Sequence, residues 1–183
     1  MKYRYQAKYG NLVLEEDATF IVNASNTRLM LSTGISSAFK DHCGYVLQDE
    51  LLQVVQRVAK PIKRGSVFKT SAGEATNFTF ALHATVMDYN PGNTYRSTLP
   101  ELNDIQSILE NIEYHLQQYC DETRLSIKLV LPLLGCGSGR LDKGDVLNLY
   151  RTFLERSIDF DCEVIVYGYT QEDYELIQSI LTH

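Results

Sequence analysis

The segment LVLPLLGCGSGRLDKGDV, residues 129–146, constrains the fold of this chain more than any other. Its first part is a nearly continuous apolar run, which is typical of a strand in a parallel sheet that helices cover on both faces. Gly135, Gly137 and Gly139 follow, and such a cluster indicates a tight turn. Asp142 is then the predicted N-cap of a helix. A strand that leads through a turn into a helix is typical of α/β domains.

Strand and helix patterns alternate through most of the chain. Strands are predicted at KYRYQAKY, TFIVNAS, SVFKTSA, FTFALHATVM, SIKLVLPLL and CEVIVYGY. The first suits an edge of the sheet because polar and aromatic residues alternate along it, and the third and fourth are expected to pair. Helices are predicted after residue 34, from Val46 to Ala59, and from Leu102, Asp142 and Thr170. This order predicts a three-layer α/β/α domain with a central mixed, mostly parallel sheet, and the turn-rich segment DYNPGNTYRS is predicted to be a mobile surface loop.

The length and charge of the chain restrict its partners. A chain of 183 residues with 44% hydrophobic residues can form one globular domain, which we take to span residues 1–183. The net charge of -6 argues against bulk binding of nucleic acid or of an anionic membrane, because clustered Lys and Arg hold such partners. No window is apolar enough to cross a bilayer, and the N-terminus does not resemble a signal peptide. We therefore expect an intracellular protein, in the cytoplasm or alternatively in the nucleus. We also expect a monomer.

The cysteines give no sign of a metal or disulfide framework. Cys43, Cys120, Cys136 and Cys162 are scattered without a C-x-x-C pair, so reduced thiols are expected. Cys136 lies in the glycine cluster, where its thiolate character would rise. We favour the simpler interpretation that a small side chain fits there, and we predict neither a metal nor a cofactor.

The glycine cluster has a chemical interpretation as well as a structural one. A glycine-rich turn that opens a helix can surround a phosphate with backbone N–H groups, and the helix N-terminus adds partial positive charge. Such a loop holds an anion without Lys or Arg, which suits an acidic protein. Three alternatives remain open from this loop alone. They are a Walker loop, which the missing lysine disfavours, a dinucleotide fingerprint, which is matched imperfectly, and a plain connecting turn.

Another loop gives the cluster a more specific meaning. The segment IVNASNTRLMLSTGISSAF again runs from a strand through small and polar residues into a helix. It resembles the first signature of the macro domain family, V-N-A-A-N-x-x-L-x-x-G-G-G-V-x-x-A-I, and LPLLGCGSG resembles the second, P-x-x-G-x-G-x-x. GNLVLEEDATFIVNA, GSVFKTSAG and FALHATV are similar to the family's entry motif and its two middle strands. The resemblance implies a macro domain fold over nearly the whole chain.

Macro domains bind ADP-ribose, whose diphosphate lies between two such loops, so the resemblance implies an ADP-ribose site. We call residues 31–37 the first loop and residues 135–139 the second loop. The partner would be free ADP-ribose or a mono-ADP-ribosylated protein, because an acidic surface disfavours a long poly(ADP-ribose) chain. The positions implied to contact the ligand are Asn11, Leu12, Asn26, Thr33, Gly34, Ile35, Ser36, Ser37, Leu134, Gly135, Cys136, Gly137, Ser138, Gly139, Arg140 and Tyr169.

For some single positions, the resemblance also implies a specific role. Asn26 matches the family's asparagine at the distal ribose, and Asn23 matches one that ties down the loop. Asn11 stands where the family has an aspartate for the adenine amino group, and an uncharged acceptor there would weaken binding by roughly 1 kcal/mol. Tyr169 falls where the family often has an aromatic against the adenine. Tyr167 is the alternative, which we interpret as a core residue.

Two functions remain open, a binding module and an ADP-ribosyl hydrolase. The hydrolase would remove mono-ADP-ribose or hydrolyse an O-acetyl-ADP-ribose ester, with Asn26 as the catalytic residue that positions water. One hydrolase branch has an acidic residue where this chain has Ser36. The terminal ADP-ribose glycohydrolase branch, which GCGSGRLDKGDV also resembles, has a lysine nucleophile near residues 85–87 and an acid at Ser138 or Gly139. Neither set is matched, so binding is the leading prediction.

Two histidines lie near these motifs. His83 is inside an apolar strand and is predicted to be a core histidine with its hydrogen bonds satisfied. His42 ends the helix after the first loop, where a solvated terminus is the simpler interpretation and a general base the alternative.

Overall fold

The computed structural model describes residues 1–182. Its strands are β1 (Arg4–Tyr9), β2 (Ala18–Asn26), β3 (Val67–Ser71), β4 (Phe78–Met87), β5 (Ile127–Leu131) and β6 (Cys162–Gly168). Its helices are α1 (Ile35–Cys43), α2 (Tyr45–Arg57), α3 (Tyr95–Thr98), α4 (Leu102–Thr123), α5 (Lys143–Leu154) and α6 (Gln171–Leu181). A 3-10 turn at Leu12–Leu14 lies between β1 and β2.

The strands form one sheet in the order β1-β6-β5-β2-β4-β3. Neighbouring strands are parallel except β3 and β4, which are antiparallel. The predicted pairing of β3 with β4 is therefore confirmed, and so is the edge position of β1. The sheet is mixed and mostly parallel, as expected.

Helices cover both faces of the sheet, which explains the apolar run in β5. In β2, Phe20 belongs to a core cluster with residues of α4 and α5, whereas Ile21 belongs to a second cluster with residues of α1 and α2. Leu129 and Val130 of β5 divide between the two clusters in the same way, and both are fully buried. The three-layer α/β/α prediction is confirmed.

Two local predictions differ from the structure. α2 ends at Arg57 instead of Ala59, because the backbone of Val58 is already extended. The segment DYNPGNTYRS, predicted to be a loop, contains the start of α3. The Thr94 side chain caps this short helix by accepting a hydrogen bond from the backbone N–H of Ser97.

The parallel arrangement brings the carboxyl ends of β2, β5 and β6 to the same edge of the sheet, which is where open α/β sheets bind ligands. From that edge β2 leads into α1, β5 into α5 and β6 into α6. Asp142 and Thr170 cap α5 and α6 as predicted, since each side chain accepts a hydrogen bond from the third residue of its helix. Three helices, α1, α5 and α6, therefore have their N-termini at one edge of the sheet.

Candidate functional site

A cavity of about 1020 Å³ opens at this edge of the sheet. Its walls come from the 3-10 turn, the first loop, the ends of β2 and β4, the second loop and the start of α6. Every position implied to contact the ligand lines this cavity except Leu134 and Arg140. The fold therefore brings together two motifs that lie about a hundred positions apart in the sequence.

The structure corrects the placement of those two residues. Leu134 is fully buried in the core, and its backbone N–H donates to the Tyr150 hydroxyl at 3.0 Å. The guanidinium of Arg140 lies over the ring of Tyr95, 5.5 Å from its centre. Leu134 is held by burial of its apolar side chain and Arg140 by stacking of its cation on an aromatic ring, and neither residue lines the cavity.

The glycines of the second loop have different tasks. Gly135 has a φ of +75°, in the left-handed region that favours glycine. A Cβ on Gly139 would lie 2.5 Å from the carbonyl oxygen of Gly135, so the loop can close only over a glycine there. Gly137 differs, because no atom of the described chain lies within 4 Å of the point that its Cβ would occupy. Gly135 and Gly139 shape the loop, and Gly137 lies on its open side.

The first loop turns into α1 at Gly34, which has a φ of +59°. Gly34 is the N-cap, and it provides no side-chain hydrogen bond to the first helical turn. The backbone N–H groups of a helix start, together with the helix dipole, are suited to an anion. Both loops therefore present backbone to the cavity.

A chain of buried hydrogen bonds fixes the start of α1 on the sheet. The Ser36 hydroxyl contacts Asn23 Oδ1 and the carbonyl oxygen of Ala24, each at 3.0 Å. Asn23 Nδ2 donates to His83 Nδ1 at 3.0 Å, and His83 Nε2 lies 2.7 Å from the Thr70 hydroxyl. Asn23 ties down the loop and His83 is a satisfied core histidine, as predicted. The Ser36 hydroxyl points to the sheet instead of into the cavity.

These buried hydrogen bonds require a neutral imidazole at His83. The Thr70 hydroxyl donates to the carbonyl oxygen of Ser71, so it accepts from the Nε2–H of His83, while Nδ1 accepts from Asn23. A second ring proton would face the Asn23 amide donor. Burial lowers the pKa of His83 to about 3, which is consistent with this arrangement.

Asn26 lines the cavity, but its side chain is bound to its own loop. Oδ1 accepts from the backbone N–H groups of Arg28 and Met30 at 3.0 and 3.4 Å, and Nδ2 donates to the carbonyl oxygen of Met30 at 3.0 Å. Turning this amide toward a ligand would break all three bonds. In this conformation one N–H of Nδ2 remains for a ligand.

Ser25 lies beside Asn26 and also lines the cavity. Its hydroxyl oxygen is the one buried side-chain oxygen or nitrogen of residues 1–182 without a hydrogen-bond partner. The first macro domain signature has alanine at the matching position. The wall of the cavity therefore has a residue with a buried, unpaired hydroxyl at a position where the signature has none.

Asn11 and two tyrosines form another part of the cavity wall. Asn11 Oδ1 accepts from the backbone N–H of Val13 at 3.2 Å and caps the 3-10 turn, in which Leu12 is buried. Tyr169 is 82% exposed at the rim. Tyr167, which we interpreted as a core residue, packs partly on the core but also lines the cavity. Both tyrosines are thus available to a planar group.

Glu15 fixes Tyr167, a function that the sequence did not suggest. The carboxylate is buried and accepts from the Tyr167 hydroxyl at 2.6 Å, Lys8 Nζ at 2.8 Å and Lys128 Nζ at 3.3 Å. Burial alone would raise the pKa of Glu15, but the hydrogen bonds from these donors hold it below its ordinary value. Glu15 is therefore ionised at neutral pH and positions the Tyr167 side chain.

A second unpredicted pair lines the cavity beside the second loop. Lys143 Nζ lies 2.5 Å from Asp173 Oδ1. The hydrogen bond with Asp173 raises the pKa of Lys143, so its ammonium is charged at neutral pH. Among the described residues that line the cavity, Lys143 is the one lysine or arginine.

Cys136 and His42 are held in structural arrangements. Burial raises the pKa of the Cys136 thiol to about 12, so the thiol is protonated at neutral pH, which favours the simpler interpretation. His42 Nε2 lies 2.6 Å from Asn77 Oδ1, and Asn77 Nδ2 donates to the carbonyl oxygens of Val13 and Glu15 at 2.8 Å. His42 thereby helps to join α1 to the 3-10 turn.

The described residues show no sign of a disulfide or metal site. The four cysteines are free thiols. Across residues 1–182, no three His, Cys, Asp or Glu side chains are grouped so that they could hold a metal ion. None of the described helices combines the length and the apolar character that a membrane span requires.

Comparisons with known proteins agree with this geometry. The macro domain family model matches residues 22–150, which include both loops. The Oceanobacillus iheyensis macrodomain with ADP superposes with a TM-score of 0.78 at 17% identity, over 100% of this chain and 94% of that chain. A mutant of the same macrodomain with ADPR gives 0.76 at 17% identity, over 100% and 96%. The Trypanosoma brucei macrodomain in complex with ADP gives 0.74 at 13% identity, over 97% and 69%.

A comparison with curated proteins gives no match. At 13 to 17% identity, the likeness to these solved structures shows the fold alone. The family model covers more than half of the chain, from the middle of β2 to α5. The chain belongs to the macro domain family.

Proposed function

We propose that this protein binds ADP-ribose, either free or attached as mono-ADP-ribose to a protein. One observation carries the proposal: the first and second loops line the same cavity, with Gly34 and Gly137 on its wall. A diphosphate between them would accept hydrogen bonds from the backbone of both loops. The cavity volume of about 1020 Å³ is sufficient for a dinucleotide-sized ligand.

The adenosine end of the ligand is assigned to Asn11 and the two tyrosines. Asn11 Oδ1 already accepts from Val13, but an amide oxygen has a second lone pair for the adenine amino group. Because this acceptor is uncharged, we expect adenine binding to be weaker by roughly 1 kcal/mol than with a carboxylate. Tyr167 and Tyr169 offer faces for stacking.

Hydrolysis of an ADP-ribosyl bond is the weaker candidate. It would require Asn26 to position a water, whereas the Asn26 amide makes three hydrogen bonds within its own loop. Val86 and Met87 line the cavity at the place where the glycohydrolase branch has its lysine. These apolar side chains offer neither a nucleophile nor a general base.

Isothermal titration calorimetry with ADP-ribose and AMP tests the proposal. We expect a micromolar dissociation constant for ADP-ribose, about 8 kcal/mol of binding free energy. AMP should bind at least about tenfold more weakly, because a single phosphate cannot reach both loops. Equal affinities for the two ligands would contradict a site that uses both loops.

A further inference from the structure

The ion pair of Lys143 and Asp173 lies where the second loop and the start of α6 meet at the cavity. Lys143 is the first residue of α5, directly after the N-cap Asp142, and Asp173 is the third residue of α6. The backbone N–H of Asp173 donates to the Thr170 hydroxyl at 3.1 Å. This bond fixes Asp173 at the cavity wall.

Lys143 retains hydrogen-bonding capacity toward a ligand. An ammonium group has three N–H donors, and its described hydrogen bond is to Asp173 Oδ1. The Lys143 side chain is 43% exposed, whereas that of Asp173 is 9% exposed. The carboxylate is therefore the fixed member of the pair, and the ammonium is the member that a ligand can reach.

A tether between α5 and α6 is the alternative explanation of this ion pair. A tether needs no access to the cavity, yet both side chains line it. In a chain of net charge -6, the cavity has one lysine or arginine among its described lining residues, and that residue stands beside the second loop. A cation in this place would offset the charge of an anionic ligand.

We propose that Lys143 binds the phosphate group next to the adenosine, with Asp173 as the buried partner of its ammonium. The proposal rests on the proposed binding of ADP-ribose. The second loop lies on one side of the ion pair. On the other side, β6, which contains Tyr167, leads through Tyr169 into α6. If the tyrosines hold the adenine, the phosphate between them and the second loop is the one within reach of Lys143.

The variants Lys143→Met and Asp173→Asn separate this proposal from a tether. Lys143→Met should weaken binding of ADP and of AMP by about tenfold and leave adenosine binding unchanged, because the lost contact is a charge-assisted hydrogen bond to phosphate. Asp173→Asn should leave ADP affinity unchanged or raise it, since it removes a negative charge beside the phosphate and retains the ammonium. Of the two variants, Lys143→Met alone is thus expected to lose affinity for ADP.

The measurements are calorimetry for ADP and AMP, and NMR titration for adenosine, well below the melting temperature of each variant. Lys143→Met leaves the Asp173 carboxylate without its partner, so a lower melting temperature is expected and does not distinguish the explanations. Lys63→Met, at an exposed lysine outside the cavity lining, is the matched control and should bind like wild type.

Three results would overturn the proposal. The first is an unchanged ADP affinity in Lys143→Met, as expected of a tether. The second is an equal loss of affinity in both variants. The third is a tenfold loss of adenosine affinity in Lys143→Met, which would place the contact on the nucleoside. Wild-type protein that fails to bind ADP-ribose would refute the proposed function itself, and this outcome is distinguishable because it needs no variant.

Discussion

The Gly137→Glu substitution gives the most direct test of the second loop. Gly137 lines the cavity, and the described chain has no atom within 4 Å of the point that its Cβ would occupy. Its φ is not among the positive values found in this chain. A side chain is therefore accommodated without steric or backbone strain, and we expect the free energy of unfolding to change by at most about 0.5 kcal/mol.

The effect on binding should be much larger than the effect on folding. The new carboxylate would stand beside a diphosphate, and two like charges about 4 Å apart repel by about 4 kcal/mol at an effective dielectric constant of about 20. This free energy corresponds to a loss of several hundredfold in affinity, roughly from a micromolar to a millimolar dissociation constant. Gly137→Gln has nearly the same shape without the charge. Its loss of affinity should therefore be at most about one tenth of the loss in Gly137→Glu.

Calorimetry with ADP-ribose, together with thermal unfolding of each variant, provides the assay. Gly139→Ala is the structural contrast, because its Cβ would meet the Gly135 carbonyl oxygen at 2.5 Å and should lower the melting temperature. If Gly137→Glu binds ADP-ribose as wild type does, the second loop is only a connector. If Gly137→Gln and Gly137→Glu lose the same affinity, bulk and not charge causes the effect.

Two further predictions concern acid stability and turnover. Because the pKa of His83 is about 3 in the fold and 6.5 in an unfolded chain, the unfolded state binds more protons between these values. The free energy of unfolding should therefore fall by up to about 1.4 kcal/mol per pH unit on acidification through this window. Urea unfolding at several pH values measures this free energy. A profile that is flat with pH would contradict a buried neutral imidazole. With protein in excess over glutamate- or aspartate-linked ADP-ribose, we expect slow or no release, and any residual activity should depend on Asn26. Complete release within seconds, lost in Asn26→Ala with ADP-ribose affinity retained, would reverse the order of the two functions.

Periodicity and glycine spacing predicted the parts of this protein that local chemistry determines. The apolar run around Leu129 predicted a strand buried on both faces, and it is one. The caps Asp142 and Thr170 depend on residues three positions away, so they are visible in the sequence. His83 was predicted to be a core residue because an apolar strand surrounds it, although its partners Asn23 and Thr70 come from two neighbouring strands.

The directions of individual side chains could not be predicted in the same way. Leu134 and Arg140 flank the second loop in the sequence, but Leu134 is buried in the core and the Arg140 guanidinium lies over Tyr95, so neither lines the cavity. No motif relates Lys143 to a residue thirty positions further on. The same applies to Glu15, whose partners Lys8, Lys128 and Tyr167 lie far apart in the sequence.

In the proposed site, an acidic chain would hold an anion mainly through its backbone. The backbone N–H groups of the two loops, which carry partial positive charge and need no counterion, would face the diphosphate. The single lysine of the described cavity wall is already paired with Asp173, so the cavity gains a hydrogen-bond donor without a large positive potential. Long-range attraction of polyanions therefore stays weak, whereas one diphosphate that enters the cavity meets donors at short range. If the proposed function is correct, we expect this division between short-range and long-range electrostatics to favour a single ADP-ribose unit over a polymer of them.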